Sequence, residues 1–437
     1  VLQPDFLLEQ NVKRLCQATA HDWLDHHFGQ ILTHVGPSIN GSSVSCKLLI
    51  LRELPETVKK KMSEYTLIST EEELAEKCES LKNEKRVAVD LEADSMYHFK
   101  EKVCLVQIAD SKVPFLVDPL EVEDFGALKP FFEDPGITKV FHGADFDIRS
   151  LDRDFGIRVN NLFDTEIASR FLGIQKRSLA ALLHKYFDVD VDKRFQKIDW
   201  SQRPLSREMI AYSITDVAYL VELSDILTQL LEKRGRLAWA REECELQTRV
   251  RYENNGEDPL FLKFKGAGKM SRRNLAVLEK LLHLRKEIAE EKDRPLFKVL
   301  SAGAIARLAR EKPVSMAGLK KTGVLSPRQM GMYGENCVQA IVEGLEKKEE
   351  QLPVYPRKKT PELGPKVSER IKALKDMRMV ISKKTGLEPG FLLNNVVITA
   401  IAANAPLDRE EFRTMEELRN WQIEILEEPV LKTLDQC

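Results

Sequence analysis

The chain has 437 residues, 43% of them hydrophobic and 31% charged, with a formal net charge of −2. That length is too great for one core and calls for two to four domains, while the composition excludes collagen-like, disulfide-scaffold and disordered classes. No apolar run reaches the roughly 18 residues a membrane span needs, and the near-neutral balance leaves any nucleic-acid partner to local basic patches.

Seven cysteines lie far apart without a Cys-x-x-Cys pair. Neither a zinc site nor a disulfide framework is indicated, and a cytoplasmic protein is expected. Residues 1–61 read as a poorly structured extension. His21, His26 and His27 with Asp22 and Asp25 are expected there as solvated groups, and the clean domain start follows Met62.

From Tyr65 the pattern sharpens. Ser69-Thr70-Glu71-Glu72-Glu73 before Leu74 reads as a helix start, a hydroxyl cap followed by acids. Arg86–Glu92 alternates and is valine-rich, so it reads as a strand, as do Val103–Ile108, Pro114–Asp118 and Thr138–His142. Asp145–Phe155 takes helical spacing through Phe146, Ile148, Leu151 and Phe155. Arg207–Leu231 reads as one long amphipathic helix with Ile210, Ile214, Val217, Leu220, Val221 and Leu223 as its stripe. This order of strands and helices predicts an α/β domain with a mixed sheet over 62–255. Beyond Asn254-Asn255-Gly256 the pattern is all helical. A basic linker is expected over 256–270, a helical domain over 271–347, a second linker over 348–365 and a second helical domain over 366–437. The two helical sets share their helix–proline–helix phrasing and read as a diverged repeat.

Asp90 and Glu92 are i and i+2 on a strand and face the same way, while Val87, Val89 and Leu91 take the other face. Tyr212 and Asp216 are i and i+4 on a helix and share one face. Asp147 lies near the start of its helix, just past a strand end, where ligand sites of such sheets form. Four carboxylates meeting in one place repel each other unless cations join them, so a divalent-metal site is the simplest reading. Two Mg²⁺ or Mn²⁺ ions about 3.5–4 Å apart would suit it. Asp90 would bridge them, Glu92 and Asp216 would hold the first, and Asp147 would act on the second. Tyr212, a poor base at its ordinary pKa near 10, would orient the attacking hydroxide.

With these motifs, residues 65–250 resemble the 3′-to-5′ exonuclease domain of the DEDD superfamily, tyrosine branch, as in the ribonuclease D family. The stretches that carry the likeness are Val89-Asp90-Leu91-Glu92, Lys139-Val140-Phe141-His142-Gly143-Ala144-Asp145-Phe146-Asp147-Ile148 and Tyr212-Ser213-Ile214-Thr215-Asp216. Leu162-Phe163-Asp164-Thr165 and Asp199-Trp200-Ser201-Gln202-Arg203-Pro204-Leu205 add to it. The resemblance implies a ribonuclease H-like mixed sheet with all five key positions intact, and it points to Asp147, not Asp145. Around them, His142 reads either as a phosphate contact or as a packed histidine. Asp164 reads as an outer support of the metal site or as the cap of the helix starting at Thr165. Trp200 and Arg203 read as nucleic-acid contacts, with a core Trp200 as the alternative. Gln107 is placed to meet the terminal nucleotide.

Residues 272–347 resemble an HRDC domain through Leu281-Leu282-His283-Leu284-Arg285, Arg294-Pro295-Leu296-Phe297 and Lys320-Lys321-Thr322-Gly323. Residues 366–434 resemble a second copy. Lys263, Lys265, Lys269, Arg272 and Arg273 form an acid-free run with Gly266 and Gly268. Arg357 to Lys384 holds ten basic residues. Both runs are expected to meet RNA phosphates with salt-sensitive affinity. The expectation is a monomeric, metal-dependent 3′-5′ exoribonuclease. It would take a single-stranded 3′ tail into the acidic pocket and hold the structured RNA body, transfer RNA precursors above all, on the helical domains. The alternatives are a DNA exonuclease of the same superfamily and a non-catalytic RNA-binding scaffold.

Overall fold

The computed structural model describes residues 64–110, 113–253, 258–356 and 364–437. The expectation for 1–61 lies outside the described residues, as does Arg357.

A six-stranded mixed sheet organises the first domain. Its strands are β1 (Thr66–Ile68), β2 (Arg86–Ala93), β3 (Val103–Ala109), β4 (Pro114–Val117), β5 (Thr138–Phe141) and β6 (Leu162–Asp164), in the order β1-β4-β3-β2-β5-β6. β2 runs antiparallel to β3 and parallel to β5, so the carboxyl ends of β2 and β5 share one edge. Every residue of β3 and β4 is buried, because both faces of the sheet are covered. Val87, Val89 and Leu91 of β2 are sealed on one face, whereas Asp90 and Glu92 on the other are half-buried.

Helices α1 (Glu71–Leu81), α2 (Leu128–Glu133), α3 (Asp145–Phe155), α4 (Thr165–Phe171) and α5 (Leu179–Phe187) precede α6 (Arg207–Ala218), α7 (Leu220–Lys233) and α8 (Leu237–Gln247). The helix expected over 207–231 is therefore two. Its stripe continues across the joint, since Ile210, Ile214 and Val217 are buried before it and Leu220, Leu223 and Leu227 after it. The break falls at Tyr219, whose buried ring packs on Phe187 at 5.1 Å. Tertiary packing sets that joint, and hydrophobic spacing does not register it.

The two helical domains repeat one pattern. The first has α9 (Arg272–Glu291), α10 (Leu296–Val299), α11 (Ala302–Glu311), α12 (Met316–Thr322) and α13 (Pro327–Glu346). The second has α14 (Pro365–Thr385), α15 (Pro389–Leu392), α16 (Asn395–Asn404), α17 (Arg409–Arg413) and α18 (Asn420–Asp435). Lys312 and Ala405 close the third helix of their sets in the left-handed region, and proline follows each. The expected linker 256–270 is in its described part a piece of the first helical domain. Phe261 and Ala267 are buried in its core, and Glu279 accepts from the Leu260 and Phe261 N–H groups at 3.0 and 2.8 Å. The apolar residues among the lysines there explain this, because charge alone had marked the segment as solvated.

Each helical domain meets the first domain through the turn that follows its long helix. In the first set, Asp293 accepts from Phe99 N at 3.0 Å and lies 2.6 Å from His98 Nδ1, while Lys298 sits over the Tyr97 ring at 4.2 Å. In the second set, Glu388 pairs with Arg177 at 2.8 Å and Thr385 O accepts from Arg236 at 2.7 Å. Phe391 and Trp421 pack on Phe171, so this core is continuous with that of the first domain.

Candidate active site

The acidic site forms where β2 outruns β5. Pairing with β5 ends near Ala88, and the chain then turns at His142-Gly143 and enters α3. The first turn of α3 thus occupies the space beside Asp90 and Leu91 that a longer β5 would fill. Gly143 takes φ +76°, open to glycine at little cost. Asp164 holds this turn, accepting from Gly143 N at 2.9 Å and Ala144 N at 2.8 Å. The same carboxylate caps α4 through Glu166 N at 2.8 Å. The helix-cap reading of Asp164 thus holds, and the same carboxylate also fixes the turn into α3.

Oxygens of Asp90, Glu92 and Asp216 come within 4.8 Å of one another. α6 lies over β2 and β3 and brings Asp216 down onto the strand. Asp147 is buried beside this trio; its charge is felt at Glu92, and that of Asp90 is felt at Asp147. Asp145 instead is exposed and paired with Arg149 at 2.8 Å. Tyr212 is buried and directs its hydroxyl to Asp216, with its ring between Phe195 at 5.7 Å and Trp200 at 6.0 Å.

Burial and mutual repulsion raise every carboxyl here. Burial first, then Asp216, pushes Asp90 well up. Burial, then Asp90, Asp216 and Asp147, does the same to Glu92. Asp147 rises through burial and Asp90. Burial lifts Asp216 to about 7, against the lowering effect of the Tyr212 hydrogen bond. Tyr212 is driven far above a phenol's ordinary value by burial and then by Asp216, Glu92 and Asp90, so it keeps its proton.

The surrounding residues divide. Trp200 is 1% exposed and belongs to the packing behind Tyr212, which closes its expected use as a stacking surface. Arg203 is also corrected. Its guanidinium donates to both oxygens of Asp118 and to the carbonyls of Trp200, Gln202 and Cys104, leaving no donor for a phosphate. Asp118, at the end of β4 and 3% exposed, was not anticipated. The polar stretch Asp199-Trp200-Ser201-Gln202 before Arg203 gives no local sign that a buried acid faces the arginine. His142 Nδ1 lies 2.9 Å from Thr165 Oγ1, which donates to Phe141 O at 3.0 Å, so the histidine is the packed one. Burial lowers its pKa, and Asp164 opposes this. Gln107 is wholly buried directly across from Asp90.

In the basic run, Lys263, Lys265 and Lys269 are exposed. Arg272, which is exposed, and Arg273 spend part of their donors within the protein, which leaves fewer of them for phosphates. Arg272 donates to Leu352 O at 2.9 Å, and Arg273 donates to Leu345 O at 2.9 Å and to Glu349 at 2.7 Å. They fasten the carboxyl end of α13, where backbone acceptors are left over.

Comparison with known proteins agrees with this organisation. A 3′-5′ exonuclease family model matches residues 65–232, and an HRDC domain model matches 274–341 and 368–434. Ribonuclease D of Pseudomonas paraeruginosa is 27% identical over 376 residues, 86% of this chain and 98% of that one. Exosome complex component 10 of Homo sapiens is 35% identical over 262 residues, covering 58% of this chain and 30% of the human protein. Protein RRP6-like 3 of Arabidopsis thaliana is 44% identical over 170 residues, and the match spans 19% of the plant protein. The chain thus spans less than a third of these two eukaryotic relatives. The crystal structure of Escherichia coli RNase D, an exoribonuclease involved in structured RNA processing, superposes with a TM-score of 0.66 at 25% identity, over 85% of this chain and 99% of that one. The chain therefore carries a 3′-5′ exonuclease domain followed by two HRDC domains, and is similar to ribonuclease D over most of its length.

Proposed function

We propose that the chain is a divalent-metal-dependent 3′-5′ exoribonuclease that trims structured RNAs, transfer RNA precursors above all, and releases nucleoside 5′-monophosphates. The approach of Asp90, Glu92 and Asp216 to within 4.8 Å, with Asp147 alongside, carries this reading. The donors are all carboxylate oxygens, without sulfur or imidazole, and that set suits Mg²⁺ or Mn²⁺. Burial and like charge raise all four carboxyls, and a divalent cation offsets the repulsion among them. Asp90, Glu92 and Asp216 would hold one ion, and Asp90 with Asp147 a second. Such ions supply charge stabilisation at phosphorus and lower the pKa of water.

The chain's own residues do the rest. A water oxygen bonds to the last phosphorus and the bond from that phosphorus to the penultimate 3′ oxygen breaks, with one water proton passing to solvent and the leaving 3′ oxygen taking a proton from it. Tyr212 keeps its proton, so it orients the water by hydrogen bonding and does not act as base. Trp200 and Phe195 fix its ring. Asp164 keeps the first turn of α3, and so Asp147, in place. Lys263, Lys265 and Lys269 offer exposed charge to the RNA body, and the likeness to E. coli RNase D favours RNA over DNA. The free, buried Cys78, Cys104, Cys244 and Cys337 suit a reducing, cytoplasmic setting.

The test is a gel assay on a 3′-extended transfer RNA and a matching DNA, with Mn²⁺ or with chelator. Stepwise shortening of the RNA, only with metal and with 5′-monophosphate product, is expected. Equal rates on DNA would turn the reading to a DNA exonuclease. Binding without cleavage would turn it to a scaffold.

A further inference from the structure

Gln107, on the site face of β3, has two side-chain polar atoms with no account so far. It is 0% exposed, and both Oε1 and Nε2 lack a hydrogen-bond partner. In the antiparallel register of β2 and β3 it stands directly opposite Asp90. Directly opposed residues project to the same face with Cβ atoms about 4.5–5.5 Å apart. On that face its neighbours are apolar. Leu105 lies opposite Glu92, Leu116 lies opposite Gln107 on β4, and both belong to the cluster beneath α6. A leucine would fit there without leaving two polar atoms unpaired. A fully buried amide without a partner lowers stability, and such a cost persists at sites where function requires the group.

Resting on the reading of the acidic trio as a cation site, we propose that Gln107 is a positioning residue for Asp90. Its amide N–H donates to the Asp90 carboxylate when that group holds the cation. The glutamine is sealed beneath α6, so it acts through Asp90 and does not meet the nucleotide.

The test uses the full chain and Mn²⁺ alone, with calorimetric Mn²⁺ affinity and the thermal midpoint of the metal-free protein as readouts. Gln107→Leu, and Gln107→Met as the second variant should the first misfold, are expected to lose roughly 10–100-fold in Mn²⁺ affinity, as loss of an outer hydrogen-bond partner does. Their metal-free midpoint should equal or exceed that of the parent, because no buried amide is left unpaired. Unchanged Mn²⁺ affinity in a folded variant, or a lowered midpoint that accounts for the loss, would overturn the inference and leave Gln107 a packing residue. Asp90→Asn separates the two levels. If it binds Mn²⁺ like the parent, the cation-site reading itself fails. If it loses Mn²⁺ while the Gln107 variants do not, only the role of Gln107 fails.

Discussion

At the level of single residues, the acids divide by what surrounds them rather than by type. Asp145 and Asp147 are two apart in sequence, yet one is exposed and paired with Arg149, and the other is buried beside Asp90. Asp90→Asn and Asp216→Asn are expected to abolish RNA shortening while leaving the metal-free midpoint at pH 8 equal or higher, because each removes one of several crowded charges. Retained cleavage in either variant would end the assignment. Tyr212→Phe keeps the ring packing and loses the hydroxyl. A rate loss on the order of 10²-fold is expected, toward the low end for a positioned proton-handling group, and single-turnover kinetics would show it. The meeting of Asp90, Glu92 and Asp216 was legible in the sequence because strand and helix periodicities fix which side chains share a face, whereas the choice of Asp147 over Asp145 came from the family resemblance. Arg203 and Trp200 were not legible, since nothing local says that Asp118 lies across the sheet to claim one, or that Tyr212 packs on the other.

Among elements, the β5–α3 turn is the piece that builds the site. Asp164 gathers the N–H groups of Gly143 and Ala144 together with those of Glu166 and Ile167 at the start of α4. Asp164→Ala leaves these donors without their acceptor. It should cost about 1–2 kcal/mol of stability and also slow cleavage by displacing Asp147. Denaturant unfolding and kcat measured side by side would check both, and a stability loss without a rate loss would show that the turn holds α3 unaided. The long strands and helices could be read ahead because each carries several periods of its pattern. β1 and β6, at three residues each, are too short to show alternation. The joint at Tyr219 left the apolar stripe undisturbed.

Over the whole molecule, charge governs both stability and substrate contact. The folded-state pKa of Asp216, about 7, lies above the roughly 3.9 of an unfolded aspartate. The folded protein therefore holds more protons between those values. The stability that this group contributes is fully present below about 4 and is lost as pH rises through 7. Asp90, Glu92 and Asp147 are raised too and act in the same direction. Mn²⁺ should accordingly raise the thermal midpoint strongly at pH 8 and little at pH 5. A shift of equal size at both values would refute this. Lys263, Lys265 and Lys269 changed together to alanine should weaken RNA binding at low salt. The slope of log affinity against log salt should flatten by about 2 units, at roughly 0.7 per single-strand phosphate contact. An unchanged slope would remove these lysines from the RNA path.

The turns that fasten the two helical domains bear on how a duplicated module keeps its station. Both copies present the same corner, yet one offers an aspartate to an imidazole and a backbone N–H, and the other a glutamate to a guanidinium. The glutamate carries its side chain from a different position in the loop, with the aromatic Phe391 beside it. Shape alone would let twin modules trade berths. Mismatched docking chemistry acts as an address, so each sibling is accepted at its own quay and turned away from the other.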